Sequence, residues 1–343
     1  MTKYQDKTVL ITGGTGTFGH HFVEHSIKNN FFKKIVVLSR DEFKQFHMKS
    51  YLDAKYGNKH NVNFIIGDVR DERRLETAFR KVDFVINAAA LKHVPVCEYN
   101  PQEAVKTNVD GSMNVCSAAS KMGVEKVVQL STDKAVEPIN FYGATKQLAE
   151  KYVVHSNNFS FETKLAAVRY GNIIGSRGSI VETILKNIDS NKPINITDIE
   201  MTRFWLPINN AVEMVLWTLD NMLGGEIVIP FAGASNILDM AEAVCEVYSK
   251  KFEYAVGGIR PGEKIHEQLI ARNEFSRSLI SDCKKYTIIE PENPQWDADL
   301  NQRLQEKYKL KLNRDSFSSA DVDFLLKKDD LVDLVKNYGS VHD

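Results

Sequence analysis

The chain has 343 residues, 43% hydrophobic and 26% charged, with 44 Lys and Arg against 45 Asp and Glu for a formal net charge of −1. That length suits one large α/β unit, or a nucleotide-binding domain with a smaller companion. The even charge balance argues against a nucleic-acid or membrane surface, so an anionic ligand must be met by local basic residues. Cys97, Cys116, Cys245 and Cys283 show no C-x-x-C spacing and read as free, mostly buried thiols of a reducing compartment. The start, MTKYQDKTVLITGG, enters a strand with no room for a signal peptide. No apolar run reaches bilayer-spanning length, so a cytoplasmic protein is expected.

Short β-branched runs alternate with helical patterns through the first half. Strands are expected at Thr8–Thr12, Lys34–Leu38, Asn63–Gly67, Asp83–Asn87, Lys126–Ser131 and Leu165–Val168, with helices at Glu103–Lys121 and Tyr142–Val154 among the intervening segments. Continuous apolar strands separated by helices indicate a parallel sheet covered on both faces, which binds ligands beyond the carboxyl ends of its strands. After about residue 170 shorter elements follow, with helices expected at Ile180–Ile188, Asn210–Met222 and Leu238–Ser249. PENPQWDADLNQ reads as a loop, and Ser318–Asn337 as an amphipathic helix with Phe324, Leu325, Leu331 and Leu334 on one side, packing on its own core. The expected organisation is therefore a Rossmann-type doubly wound α/β domain over residues 1–170, a smaller lobe over 171–290 and an extension over 291–343.

VLITGGTGTFG leaves the first strand and opens a helix, with Gly13, Gly16 and Gly19 three apart and Thr15, Thr17 and Phe18 between them. Such glycines let a pyrophosphate approach the backbone at a helix N-terminus. At the end of the second strand, Ser39 and Arg40, with Lys44 one turn on, suit the 2′-phosphate of NADP. Asp41 and Glu42 leave NAD open. Asp68 is placed either to accept from an adenine amino group, with Val69 beside it, or to cap the helix beginning at Glu72. Ala88 and Ala89 would let a cofactor lie against the backbone. Lys92 would face cofactor and substrate, and His93 reads as structural.

STDKAVEPINFYGATK, residues 131–146, concentrates the acid/base groups. Tyr142 and Lys146, four apart, share a helix face, and an ammonium beside a phenol favours the phenolate. Asp133 and Lys134 add a carboxylate and a second amine, more than a simple alcohol oxidation needs. Arg169, Arg177, Arg203, Arg260 and Lys264 fall in loops rich in Gly, Asn and Thr. RYGNIIGSRGS, ITDIEMTRFW and GIRPGEK supply Asn172, Ser179, Thr197 and Glu263 beside these cations, a set suited to a nucleoside diphosphate. No metal-ligand spacing is expected.

TGGTGTFG, SRDEFKQ, GDVRD, AAALKHVPVCEYNP, TNVDGSMNV, LSTDKA, YGATK, RYGNIIGSRGS, ITDIEMTRFW and RPGEKIHE occur in this order over residues 8 to about 272. Together they resemble the extended short-chain dehydrogenases/reductases that act on nucleotide sugars. Within that group they are most similar to the inverting UDP-N-acetylglucosamine 4,6-dehydratases of pseudaminic-acid and related surface-glycan pathways. The resemblance implies NADP, a UDP-sugar substrate and a homo-oligomer, dimer or hexamer, with no nucleic-acid or membrane partner. It implies Tyr142 as the base for C4 oxidation, supported by Lys146, with Lys134 removing the C5 proton and Asp133 protonating the departing C6 hydroxyl. Thr132 would orient the sugar, while Asn172, Arg177, Arg203 and Arg260 hold the diphosphate. Retaining relatives usually carry Asp-Glu where this chain has Asp133-Lys134. Longer relatives of the L-N-acetylfucosamine series share a tail ending in a helix but tend to have Met where Tyr142 stands. A nucleotide-sugar 4-epimerase, a retaining dehydratase and a non-catalytic NADP-sensing module are the competing readings.

Overall fold

A computed structural model describes residues 4–58, 60–160, 162–176, 178–190 and 192–339. Its first half alternates strands and helices: β1 (Tyr4–Thr12), α1 (Thr17–Lys28), β2 (Phe32–Ser39), α2 (Glu42–Tyr56), β3 (Val62–Ile66), α3 (Glu72–Ala78) and β4 (Phe84–Asn87). Two short helices, α4 (Val94–Tyr99) and α5 (Pro101–Ala104), lead through a π-helical turn at Val105–Asp110 into α6 (Gly111–Met122). Then come β5 (Lys126–Leu130), α7 (Phe141–His155) and β6 (Lys164–Val168). These strands pair in parallel in the order β3-β2-β1-β4-β5-β6. The order reverses between β1 and β4, and the crevice above that switch point is where such sheets bind ligands. The doubly wound α/β fold expected from the sequence is the one observed.

The second half contributes β7 (Asn172–Ile174), α8 (Ile180–Asp189), β8 (Ile194–Ile196), β9 (Thr202–Pro207), α9 (Ile208–Asn221) and β10 (Ile227–Pro230). It continues with β11 (Gly233–Asn236), α10 (Ile237–Val247), β12 (Tyr254–Val256), β13 (Ser278–Ile280), β14 (Tyr286–Ile289), α11 (Leu300–Lys307), β15 (Leu310–Lys311) and α12 (Lys328–Gly339). β10 joins β6 in parallel, and β14, β13 and β15 extend the main sheet antiparallel beyond it. These four strands do not stand out in the sequence, being only two to four residues long. The tail thus supplies the sheet's last strand as well as the terminal helix.

A smaller lobe carries the sheet β11-β9-β7 and the pair β12-β8. Its own apolar core joins Val181 and Ile184 of α8, Met240 and Val244 of α10, and Leu331, Val332 and Val335 of α12. The amphipathic helix expected over Ser318–Asn337 is shorter. Ser316 donates its hydroxyl to Asp321, and the backbone N–H of Ser318 donates to the same carboxylate. Those local bonds compete with helix formation, leaving a 3-10 turn at Val322–Phe324 and a helix only from Lys328. Phe324 is buried in the main core, whereas Leu325 is 44% exposed. Among the described residues, no helix is long and apolar enough to cross a membrane.

Candidate active site

A cleft of about 690 Å³ opens above the switch point and runs between the sheet and the smaller lobe. At its floor, β5 ends at Leu130 and the chain turns through Ser131–Lys134. Asn140 caps the next helix by accepting from the Gly143 N–H at 2.7 Å, and its amide donates to the Gly262 carbonyl at 2.8 Å. The start of α7 is thereby fixed against the RPGEK loop. Tyr142 and Lys146, one turn apart, both face the cleft and are 8% and 4% exposed. The Lys146 ammonium donates to the Leu130 carbonyl at 2.6 Å.

Electrostatics reassign one expected role. Burial pushes the Tyr142 phenol up to about 12, and the groups that oppose it are the Lys134 charge and a hydrogen bond with Thr132. The ammonium favouring a Tyr142 phenolate is therefore that of Lys134, whereas Lys146 is itself pushed down to about 8 by burial. Lys134 is not depressed. Burial would lower it, but the carboxylates of Asp133 and Glu267 outweigh that and raise it, so Lys134 rests as an ammonium. Its Nζ lies 3.1 Å from Asp133 Oδ1 and 3.3 Å from Glu267 Oε1.

Asp133 sits deeper than the sequence suggests. It is fully buried beneath Thr132 and Lys134 and does not line the cleft. Its Oδ1 accepts from the Thr132 hydroxyl at 2.8 Å, and Thr132 does line the cleft.

The residues expected at the cofactor come together along the other half of the cleft. Gly13, Thr15, Gly16, Thr17, Phe18, Gly19, Ser39, Arg40, Asp41, Lys44, Asp68, Val69, Ala88, Ala89 and Lys92 all line it. Gly13, at φ +62°, packs so closely on the β4 end that a Cβ would stand 2.8 Å from Ala89 Cα. A Cβ on Gly19 would fall 2.2 Å from the Gly14 carbonyl oxygen. The N-cap of α1 is Gly16, which makes no side-chain cap bond, so the first backbone N–H groups of the helix can serve an anion. The buried hydroxyls Thr107 Oγ1 and Ser131 Oγ face this cleft without hydrogen-bond partners among the described residues. Buried polar atoms require hydrogen bonds, and the glycine turn, uncapped helix and these hydroxyls together fit a dinucleotide.

Asp41 caps α2 by accepting from the Lys44 N–H at 3.0 Å and pairs with the Lys44 ammonium at 3.2 Å. Arg40 reaches Asp68 at 3.7 Å. The cap of α3 is Asp71 rather than Asp68, since Asp71 accepts from the Arg74 N–H. Asp68 instead binds Arg70 through both backbone and side chain.

On the substrate side, Asn172, Ser179, Thr197, Arg203, Arg260 and Glu263 line the cleft, while Arg177 lies outside the described residues. Arg203 is 5% exposed, and its guanidinium donates to the carbonyls of Thr202, Lys264 and Ile265. It therefore organises the loop as well as bringing charge to the cleft. Arg260 is exposed and pairs with Glu263. Lys264 donates to the Val136 carbonyl at 2.6 Å. Arg169 is no ligand: it is buried away from the cleft, held by Glu150 at 2.5 Å and Glu274 at 2.8 Å. Glu267, the last residue of RPGEKIHE, has no part in the sequence-based expectation, because its partner Lys134 lies far away in the chain.

A family model described as polysaccharide biosynthesis protein matches residues 9–290. The chain belongs to this family. A relative from Campylobacter jejuni, named UDP-N-acetylglucosamine 4,6-dehydratase (inverting), is 44% identical over 291 residues, covering 84% of each chain. A Rickettsia felis protein named UDP-glucose 4-epimerase is 41% identical over 280 residues, covering 80% of this chain and 81% of its own. Among solved structures, Pen from Bacillus thuringiensis superposes with a TM-score of 0.87 at 32% identity over 99% of both chains. The resemblance read from the ordered motifs is thus borne out at the level of family and fold.

Proposed function

We propose that the chain is an inverting UDP-N-acetylglucosamine 4,6-dehydratase that works with a nicotinamide dinucleotide, NADP in preference to NAD. The observation that carries this is Lys134, an ammonium held against buried carboxylates beside Tyr142, where hydride transfer uses its charge but has no use for its proton or for Asp133. The 44% identity to the Campylobacter jejuni dehydratase supports the same reading. Ser39, Arg40 and Lys44 at the β2 end support the 2′-phosphate, because Asp41 is engaged in capping α2.

A bound nicotinamide would supply the acceptor for the C4 hydride and the donor for its return to C6. Tyr142 takes the C4 hydroxyl proton, assisted by the Lys134 charge and Thr132. Lys146, anchored on Leu130, is positioned to donate to ribose hydroxyls. A 4-keto group acidifies the C5 proton, and Lys134 is the amine in the cleft that removes it. Asp133 serves the C6 hydroxyl through Thr132: a proton on Oδ1 passes to the Thr132 oxygen as the Thr132 proton passes to the leaving group. Water departs, and C5 takes a solvent-derived proton on the face opposite Lys134. Asn172, Ser179, Thr197, Arg203, Arg260 and Arg177 hold the diphosphate and nucleoside, and Lys92 stands between cofactor and sugar. Exposed Val96 and Tyr99 on α4 and Leu148 on α7 support a homo-oligomer.

The Rickettsia felis relative's name favours a second reading, a 4-epimerase. An epimerase needs Tyr142 and Lys146 and can use the Lys134 charge at Tyr142, but it has no task for Asp133 as an acid or Lys134 as a base. Incubation with UDP-N-acetylglucosamine separates the two. A dehydratase yields a 4-keto product that absorbs in alkali, whereas an epimerase yields only the C4 epimer.

A further inference from the structure

Lys134 rests protonated, yet the elimination needs it as a free amine and needs Asp133 as an acid. One proton transfer meets both needs, provided the Nζ proton has an acceptor within reach. Nζ stands 3.1 Å from Asp133 Oδ1, within hydrogen-bond range. Across from it, Glu267 Oε1 holds Nζ at 3.3 Å. Glu267 is 2% exposed, and both its Oε2 and Asp133 Oδ2 are buried without hydrogen-bond partners among the described residues.

Resting on the dehydratase reading, we propose that Glu267 is a positioning residue for the elimination, its carboxylate holding the Lys134 ammonium against Asp133 so that one proton handed from Nζ to Oδ1 arms acid and base together. The inventory closes. The Lys134 N–H bond breaks as the Asp133 O–H bond forms. Lys134 then takes the C5 proton, and the C5–H electron pair becomes the C5=C6 bond. The proton on Asp133 travels through Thr132 to the C6 oxygen, the C6–O bond breaks, and water leaves. Lys134 ends as an ammonium and Asp133 as a carboxylate, which is the resting arrangement.

The charged and titratable groups packed around Nζ are few. Asp133 comes from the β5 end, Tyr142 from α7 and Arg203 from β9, with Glu267 and Lys264 from the loop before β13. Asp133 and Glu267 favour the ammonium, and Arg203 opposes it; the Glu267 charge therefore works against the transfer, and what Glu267 contributes to it is placement, keeping Nζ within reach of Oδ1. Glu267 is also anchored by backbone bonds that do not involve its carboxylate, its N–H donating to the Ser319 hydroxyl and its carbonyl accepting from the Ser319 N–H. Changing the carboxylate alone therefore leaves that anchor in place.

The test uses the full chain loaded with NADP⁺ and UDP-N-acetylglucosamine, comparing wild type, Glu267→Gln and Glu267→Asp. Glu267 acts after C4 oxidation, so both variants should still reduce the nicotinamide. They should then stall, with reduced-nicotinamide absorbance persisting and kcat lower, on the order of 10²-fold for Glu267→Gln and less for Glu267→Asp. Substrate deuterated at C5 should slow the variants more than the wild type, while KM stays within about threefold. If Glu267→Gln does not fold, Glu267→Asp carries the test, and wild-type turnover without a stalled reduced cofactor in that variant overturns the proposal. The same outcome in a folded Glu267→Gln also overturns it. A wild type that makes no 4-keto product instead overturns the dehydratase reading on which the proposal rests.

Discussion

The Lys146 ammonium, in the second turn of α7, donates to the carbonyl of Leu130 at 2.6 Å, tying the Tyr142 helix to the strand that delivers Asp133 and Lys134. Burial pushes this lysine from 10.5 down to about 8. The unfolded chain therefore binds the extra proton between those values, and stability attributable to Lys146 rises with pH across that window. Below about pH 8 the full cost of burying the charge is present. Denaturant titrations of wild type and Lys146→Met should show their stability difference shifting toward wild type by about 3 kcal/mol between pH 8 and 10.5. A difference that stays flat across this range contradicts the assignment.

Arg169 joins α7 to the loop before β13 by bonding Glu150, Glu274 and the Leu269 carbonyl. Removing one partner of a buried ion network strands the others, at a cost of about 3–5 kcal/mol. Arg169→Ala should lose that much in urea unfolding. The triple variant Arg169→Met, Glu150→Gln, Glu274→Gln should recover most of it. Were Arg169→Ala as stable as wild type, the network would contribute nothing.

Lys134→Ala removes the ammonium bound by both Asp133 and Glu267. The sequence alone suggests an edge-of-strand lysine with little structural weight. The structure gives it more, since two buried carboxylates lose their partner, at about 1–3 kcal/mol. The variant should unfold at lower denaturant, reduce the nicotinamide with UDP-N-acetylglucosamine more slowly because the charge favouring the Tyr142 phenolate is gone, and lose solvent exchange at C5. Full activity in Lys134→Ala would make Lys134 structural only.

Arg40 stands at the β2 end, its side chain 51% exposed, with a long 3.7 Å contact to Asp68. Arg40→Ala should weaken NADPH binding by tenfold or more, about 1.4 kcal/mol, while leaving NADH nearly unchanged. Fluorescence titration of the two reduced cofactors measures this. Equal losses for both would remove Arg40 from 2′-phosphate recognition.

Much of this was legible in the chain because a parallel sheet buried on both faces writes its strands as unbroken apolar runs. β1, β2, β4 and β5 carry that pattern, and Gly13, Gly16 and Gly19 mark the turn that follows. The outer strands β13 and β15 carry no such signal: they are short, and Leu310 and Lys311 of β15 are both exposed at the sheet edge. At the site, spacing brought Tyr142 and Lys146 together correctly because four residues make a helical turn. It could not reveal Glu267 against Lys134, nor Glu274 against Arg169, since those pairings depend on how distant loops close over the sheet. Local spacing left Asp68 open between an adenine contact and a helix cap; Asp71 stands nearer the helix start and takes the cap.

The central claim is that Lys134 makes this a C5-inverting dehydratase. Incubation with UDP-N-acetylglucosamine in D₂O, followed by NMR, tests it most directly. The expected product is the 4-keto-6-deoxy sugar of L-arabino configuration carrying deuterium at C5. A 4-keto-6-deoxy product that keeps the D-configuration, or conversion only at C4, would contradict the account.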